Sequence, residues 1–399
     1  MATHTDFTTD KIRTTAAAAG PLDPYIPSVA NPWTPNRVAH LYRRLGFGAT
    51  YEQIEAGLQM APSDLVDQLL DAAATLPPPP APTWANDAPN PGNAETEAQR
   101  REMRHRWLSD MLDEGVRAKM ALFWHNHFVT ELLIFGCNAY LWSYYKLLHV
   151  KAFGNFREFT LEMGKNPAML VYLNGKVNVA GEPNENYARE LMELFTLGEG
   201  NGYTQFDVVE MSRALTGWRA DFNECYPPYF DPTRLDNNPK TIFGKTDKFD
   251  FDSAHNLIFA ERPYEVSQFI TRKLYHHFVK RDIFFPVHQG LAETFRNNNW
   301  EILPVLKQLF KSEHFFDEEV MNAQIKSPAE AMLPIFKFAG AKFPDTVQPD
   351  WFDDMSFWLQ RLGQELYGPP NVAGWPGYRA WINESTLASR WNYGALAAQ

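Results

Sequence analysis

Apolar residues recur every three or four positions over most of the chain from Asn36 onward. This is the spacing of one face of an α-helix, whereas a half-buried strand alternates with a period of two. Only residues 226–252 favour strands, as a short hairpin around residues 240–244. The sequence therefore predicts an all-α fold, a mainly helical, many-helix globular domain with long ordered loops and at most one short β-hairpin.

The predicted helices follow one another closely along the chain. They span residues 62–73, 96–113, 115–150, 154–174 with a break at Asn166-Pro167, 184–198, a further helix that ends near Trp218, 263–281, 287–298, 300–312, 350–362 and 385–396. Three helix starts have capping-box spacing, in which the first and fourth residues satisfy each other's free backbone N–H groups. They are Thr50 with Gln53, Thr204 with Asp207, and Ser327 with Glu330, where Pro328 takes the first helical position.

Composition divides the chain into an arm and one large domain. Residues 1–35 are rich in Thr, Ala and Pro and are expected to form an extended N-terminal arm. Residues 36–399 are expected to form a single large helical domain, since 45% of the 399 residues are hydrophobic. Within it, residues 75–95 contain seven prolines, which forbid a helix and predict a strap along the surface.

Charge and hydropathy narrow the range of partners. The net charge of −11 argues against nucleic-acid binding, which needs a basic surplus. No run of 18 apolar residues occurs, so no membrane span is expected. Residues 16–19 lack the apolar segment of a signal peptide. The chain is thus expected to be cytoplasmic as written, or exported if a signal has been removed.

The two cysteines, Cys137 and Cys225, form no C-x-x-C motif. This spacing excludes a zinc ribbon and a thioredoxin-type site. Cys137 lies in an apolar helical stretch, which favours a small core residue. A disulfide between the two is left open. The motifs of Rossmann domains, Walker NTPases, nucleophile-elbow hydrolases and H-E-x-x-H proteases do not occur either.

The helix over residues 184–198 carries an ordered polar stripe. At roughly 100° per residue its polar side chains share one face, and Tyr, Leu, Met and Phe take the other. The stripe consists of Glu185, Asn186, Arg189, Glu190 and Glu193. It is interpreted as a buried structural network, with a ligand or metal site and a solvated surface as alternatives. If it is a site, Glu190 or Glu193 acts as base or metal ligand and Arg189 orients the carboxylates.

His125 and His127 suggest a metal site. On a helix, however, side chains two positions apart point about 200° away from each other. Both can ligate one ion only if the helix breaks, so hydrogen-bonded core histidines are favoured and metal ligation is the alternative. Glu190 and Glu193, three positions apart, match the carboxylate spacing of bundle metal sites, and oxygen ligands favour a hard divalent metal. The cofactor is otherwise unknown.

A C-terminal loop rich in Pro, Gly, Asn and Trp is the second distinctive feature. It lies within residues 362–377 and contains Asn371 and Trp375, and Trp381 follows it. Tryptophan rings offer flat apolar platforms with one N–H donor, which suits a sugar face or an aromatic ligand. The simpler interpretation is that Trp375 and Trp381 close the core.

Several segments together resemble the bacterial domain-of-unknown-function 1800 family. They are residues 43–48, 124–128, 184–198, 203–218, 326–328 and 368–375. The resemblance covers roughly residues 36–396 and implies a mostly helical protein, often exported, with a possible sulfatase-like protein partner. Many members have His-Asp ahead of a Lys-Thr-x-x-Gly segment, whereas this chain has Leu235-Asp236.

The sequence leaves two functions open. In the first, the protein is an enzyme or a small-molecule or metal-binding protein. Its site would lie where the stripe meets His125 or His127, Arg213 and the loop around Trp375, with Asn186 among the ligand-binding groups. In the second, it is a non-catalytic interaction protein whose polar stripe is a buried packing network.

Overall fold

Eighteen α-helices make up most of the computed structural model, which describes residues 20–221, 223–338 and 351–396. The helices are α1 Pro35–Leu45, α2 Tyr51–Leu58, α3 Pro62–Ala74, α4 Asn93–Asp113, α5 Val116–His127, α6 Leu132–Phe135, α7 Asn138–Val150, α8 Phe156–Lys165, α9 Pro167–Tyr172, α10 Asn186–Glu190, α11 Gln205–Ala214, α12 Phe251–Glu261, α13 Pro263–Phe278, α14 Phe285–Asn297, α15 Ile302–Lys311, α16 Pro328–Phe338, α17 Trp351–Arg361 and α18 Glu384–Leu396. A π-helical turn, Leu191–Thr196, continues α10. The predicted mainly helical fold is confirmed.

Two details differ from the sequence prediction. The segment 115–150 forms three helices rather than one, because Gly136 adopts a left-handed φ of 71° and ends α6. Two antiparallel hairpins occur among the described residues instead of at most one. They are β1 Trp218–Asp221 with β2 Tyr226–Phe230, and β3 Lys240–Ile242 with β4 Lys245–Asp247. The second is the predicted hairpin; strand β2 contains Pro227-Pro228, which obscured the first.

The helix starts follow the sequence signals. Both hydrogen bonds of a capping box are present where Thr50 meets Gln53 and where Thr204 meets Asp207. At α16, the Ser327 N–H donates to Glu330 at 2.8 Å and the Glu330 N–H donates to the Ser327 hydroxyl at 3.3 Å. These local hydrogen bonds satisfy N–H groups that a helix start otherwise leaves unpaired.

Helix α5 lies at the centre of the molecule. Every one of its residues except Asn126 is buried, and α3, α4 and α7 pack against it. A helix that is buried on all sides has no polar face, yet α5 carries Lys119, His125 and His127. Such buried polar groups must find partners within the protein, and those partners define the candidate site.

The described part of the N-terminal arm packs against the end of α15. The Tyr25 N–H donates to the Lys311 carbonyl, and the Glu313 N–H donates to the Asp23 carbonyl, both at 2.8 Å. Residues 1–19 of the predicted arm lie outside the described residues. The proline-rich strap runs beside α4, where the Arg106 guanidinium donates to the Pro80 carbonyl at 2.7 Å.

Cys137 and Cys225 form a disulfide that joins the start of α7 to the β1–β2 hairpin. The bond closes a loop of 88 residues, and cross-linking a loop of that length stabilises a protein by about 4.6 kcal/mol in the chain-entropy account. The sequence left open whether the two cysteines are paired, and the structure shows that they are. Within the part of the chain that the structure describes, no helix is both long and apolar enough to span a bilayer.

A cationic cleft as the candidate functional site

A cleft of about 310 Å³ opens between α5, α13, the start of α16 and the C-terminal tryptophan loop. Among its described lining residues are four basic side chains and a single carboxylate, Glu330. The basic residues are Arg44, Lys119, Lys273 and Arg281. In a chain with a net charge of −11, this local excess of positive charge is a specific feature of the cleft.

One side of the cleft is a buried ion cluster. The ammonium of Lys119 contacts Glu330 directly and donates to the Gly46 carbonyl at 3.0 Å. Arg44 lies 4.0 Å from the same carboxylate and donates to the carbonyls of His277 and Phe278. Burial alone would raise the pKa of Glu330, but Lys119 and Arg44 outweigh it and hold that pKa well below its usual range.

The opposite side presents an amine with an altered pKa. The Lys273 Nζ lies 3.0 Å from the His127 Nδ1 and 3.1 Å from the Leu194 carbonyl oxygen. Burial lowers the pKa of Lys273 from 10.5 to about 7. Lys273 can therefore gain or lose a proton near neutral pH, which is the range in which general acids and bases work.

His127 is held in one tautomer. Its Nε2 lies 3.0 Å from the carbonyl oxygen of Phe195, which can only accept. The hydrogen therefore lies on Nε2, and Nδ1 accepts from Lys273. Burial, with Lys273 nearby, lowers the pKa of His127 well below its usual value, so the ring is neutral.

The backbone of the helix with the polar stripe contacts two side chains that line the cleft. Leu194 and Phe195 belong to the π turn at its end, where helical carbonyls have no partner within the helix. These two carbonyls accept from Lys273 and His127. π turns are rare and concentrate at functional sites. The segment that the sequence singled out thus holds two lining side chains of the cleft through its carbonyl oxygens, and its carboxylates take no part in this.

The tryptophan loop forms the third wall. Trp375 and Trp381 line the cleft and are more than nine-tenths buried. Asn126 fixes the loop, because its Oδ1 accepts from the Trp375 N–H at 2.6 Å and its Nδ2 donates to the Trp375 carbonyl at 3.2 Å. Gly374 is required at this close approach, since a Cβ there would lie 2.3 Å from Asn126 Oδ1. The predicted roles of both tryptophans in ligand binding stay predictions.

His125 lies in the core and does not line the cleft. Its Nδ1 is 2.7 Å from the Tyr144 hydroxyl, and its Nε2 accepts from the Tyr367 N–H at 3.3 Å. Within the described residues, neither His125 nor His127 belongs to a group of three metal-ligand side chains. Both have the hydrogen-bonded surroundings that the helical spacing favoured, and metal ligation by either one stays a prediction.

The polar stripe forms a half-exposed network away from the cleft. Arg189 donates to Glu185 at 2.9 Å and to Glu193 at 3.3 Å, and also to Gln205 at 2.9 Å. Burial and the neighbouring Glu193 raise the pKa of Glu190. None of these side chains lines the cleft. Arg189 and its partners pair with one another but are partly exposed rather than buried, and the interpretation as a packing network stays a prediction. The catalytic roles of Arg189, Glu190 and Glu193 stay predictions.

The other predicted ligand-binding residues also lie outside the cleft lining. Arg213 is paired with Glu210 at 2.7 Å and with Asp236 at 2.8 Å. Asn371 accepts from the Ala373 N–H at 2.9 Å within its own loop. The Asn186 N–H is 3.1 Å from Asn184 at the start of α10. Their assignment to a ligand stays a prediction.

Sequence reasoning missed Lys119, Lys273 and Glu330 as site residues. The sequence identified Glu330 only as a capping residue. In the structure it caps the start of α16 and also forms the ion pair with Lys119. Lys119 carried a usable signal, because it is a lysine inside the apolar stretch that became α5. Lys273 lies in an ordinary amphipathic helix, and only the fold buries its amine.

The fold and the cleft together define a mainly helical protein with a small cationic site walled by tryptophan. A family described as "Protein of unknown function (DUF1800)" matches residues 40–398, nearly the whole chain, and the protein belongs to this family. No curated protein and no solved structure matches the chain. The sulfatase-like partner implied by the resemblance stays a prediction.

Proposed function

We propose that the protein binds a small anionic molecule that carries a flat apolar group, and that the cleft between α5, α13 and the tryptophan loop is the binding site. The observation that carries this proposal is the charge of the lining, four basic side chains against one carboxylate. A volume of about 310 Å³ is at the lower end of small-molecule sites, which begin at about 300 Å³.

Lys273 is the group expected to meet the anion. A protonated lysine has three N–H donors, and this one uses two of them, on His127 and on the Leu194 carbonyl. One donor remains for a ligand. Lys119 and Arg44 are committed to Glu330 and to backbone carbonyls, so they supply a positive field rather than direct contacts.

The rings of Trp375 and Trp381 are expected to receive the apolar part of the ligand. Indole rings provide large apolar contact area at little cost in side-chain entropy. Asn126 and the backbone of Gly374 hold this wall in place through two hydrogen bonds and a close approach. The wall is therefore formed before a ligand arrives, which lowers the cost of binding.

A calorimetric titration of the full chain with benzenesulfonate tests the proposal, because this probe stays anionic at every pH used. Saturable binding is expected, with benzyl alcohol as the uncharged control that binds weakly. The affinity should fall about tenfold from pH 6 to pH 8, because Lys273 loses its proton over that interval and the anion then loses its partner.

Matched variants locate the binding. Lys273→Met should abolish it, whereas Lys248→Met removes the same charge from an exposed position and should leave it unchanged. Trp381→Leu should weaken binding of benzenesulfonate more than binding of methanesulfonate, which has no ring. Absence of saturable binding, or equal affinity in Lys273→Met, would overturn the proposal and favour the interaction-protein alternative.

A further inference from the structure

A second group of polar side chains lies away from the cleft, between the end of α4 and the end of α7. Asp110 is in the last turn of α4, Glu114 follows it by four residues, and His149 is in the last turn of α7. One ligand atom from each of the three lies within 4.8 Å of the others. None of them lines the cleft.

The tautomer of His149 is fixed by its surroundings. Its Nδ1 lies 2.9 Å from the carbonyl oxygen of Tyr145, which can only accept a hydrogen bond. Nδ1 therefore carries the hydrogen, and in the neutral ring Nε2 carries a lone pair. Burial lowers the pKa of His149 well below its usual value, so the neutral ring is the one present.

The lone pair of His149 faces a carboxylate. Its Nε2 is buried without a hydrogen-bond partner among the described residues and lies 3.6 Å from the Asp110 Oδ2. That distance is too long for a hydrogen bond, so this carboxylate does not satisfy the Nε2 lone pair. The fully buried, unpartnered nitrogen thus lies within 4.8 Å of an oxygen of each acidic group.

We propose that Asp110, Glu114 and His149 form a binding site for a divalent transition-metal ion such as Zn²⁺. One imidazole nitrogen and two carboxylate oxygens are an accepted ligand set for such ions, with a further position left for water. Ligands about 2.0–2.1 Å from a tetrahedral centre lie roughly 3.4 Å apart, close to the separation of His149 and Asp110.

The groups behind these three residues are arranged as around known metal ligands. Metal-binding histidines commonly donate their other ring N–H to a backbone carbonyl, as His149 does to Tyr145. The Tyr145 hydroxyl donates to Asp110, and Arg117 donates to both oxygens of Glu114, from Nε at 2.7 Å and from a terminal nitrogen. Each carboxylate oxygen keeps a second lone pair for an ion.

The site can be reached from solvent. The side chains of Asp110 and Glu114 are 20% and 22% exposed, whereas that of His149 is fully buried.

The test uses the full chain, stripped with a chelator and then titrated with ZnCl₂ in a calorimeter. One Zn²⁺ per chain is expected, together with a rise in melting temperature that the chelator reverses. His149→Leu keeps the core apolar and should lower the affinity by about a hundredfold or more. His314→Gln is the control, since His314 is also buried and also pairs with an aspartate, Asp317, but belongs to no group of three metal-ligand side chains among the described residues.

Glu114→Gln is the second variant, because it changes a partly exposed position and spares the buried ring if His149→Leu does not fold. It should also weaken Zn²⁺ binding. Absence of stoichiometric binding would overturn the proposal. Binding that both variants leave unchanged would overturn it too, because the ion would then lie elsewhere. Neither result depends on whether the cleft binds an anion.

Discussion

The side-chain amide of Asn126 brackets the backbone of Trp375, accepting from its N–H at 2.6 Å and donating to its carbonyl at 3.2 Å. Two segments 249 residues apart in sequence are joined by this one side chain. Asn126 is the only residue of α5 that is not buried. The central helix therefore positions the tryptophan wall of the cleft directly.

The close approach at this point predicts the effect of an added methyl group at Gly374. Gly374→Ala places a Cβ 2.3 Å from Asn126 Oδ1 and 2.7 Å from its backbone oxygen, at a left-handed φ of 80°. Gly363→Ala is the matched control, because Gly363 has a φ of 91° with open space around its Cα. In the control, the free energy of unfolding should fall only by the conformational cost of a left-handed alanine, about 1–2 kcal/mol.

The free energy of unfolding should fall in Gly374→Ala by at least about 1–2 kcal/mol more than in that control, which is the range typical of overpacking. Urea unfolding of both variants measures the difference. Benzenesulfonate binding should fall in Gly374→Ala and persist in Gly363→Ala. Equal losses of stability in the two variants would mean that the loop and α5 are not in close contact.

The buried ion cluster predicts a large cost for removing its one negative charge. Glu330→Gln keeps the hydrogen bond to the Ser327 N–H but leaves Lys119 and Arg44 without a counter-charge in the core. Breaking a buried pair in this way costs about 3–5 kcal/mol. Glu319→Gln removes an exposed ion pair with Lys280, in which the glutamate side chain is 86% exposed, and should cost less than about 1 kcal/mol.

Denaturant unfolding near pH 7 tests this comparison. A loss in Glu330→Gln as small as that in the control would show that the carboxylate does not neutralise the cluster. The substitution Glu330→Gln also makes the net charge of the cleft lining more positive by one unit. Benzenesulfonate affinity should therefore rise in this variant wherever it remains folded.

The lowered pKa of Lys273 predicts a pH dependence of stability. The folded protein binds this proton with a pKa of about 7, whereas the unfolded chain binds it with the ordinary value of 10.5. Between these values the unfolded state holds more protons, so the contribution of Lys273 to the unfolding free energy rises with pH. The limiting slope is about 1.4 kcal/mol per pH unit.

Comparison with Lys273→Met isolates this contribution. The unfolding free energy of the wild type, minus that of the variant, should rise by about 1 kcal/mol per pH unit between pH 7.5 and 9.5. In Lys273→Met, His127 also loses its hydrogen-bond partner, which lowers the unfolding free energy. This effect does not change with pH in this range, because the His127 ring stays neutral. If the difference in unfolding free energy between the wild type and Lys273→Met does not change with pH, the Lys273 amine is solvated and has an ordinary pKa.

Local sequence signals predicted the elements of the fold well. The capping boxes at Thr50, Thr204 and Ser327 form as expected, because these hydrogen bonds involve neighbours in the chain. The break at Asn166-Pro167 also occurs, since α8 ends at Lys165 and α9 begins at Pro167. The three-way division of residues 115–150 was missed, because the apolar pattern continues through Gly136.

The site was harder to predict, because its parts are distant in sequence. The sequence by itself determined that this protein is mainly helical, where most helices begin and end, and that residues 184–198 and the tryptophan loop are unusual. Only the tertiary structure decided that Lys273 and His127 meet the carbonyls of Leu194 and Phe195, and that the side chains of the stripe pair with one another away from the cleft. Burial and proximity set the charge state of a side chain, and both depend on which distant segments pack together. The same reason explains why Asp110 and His149, two separate residues in the sequence, become one candidate metal site in the fold.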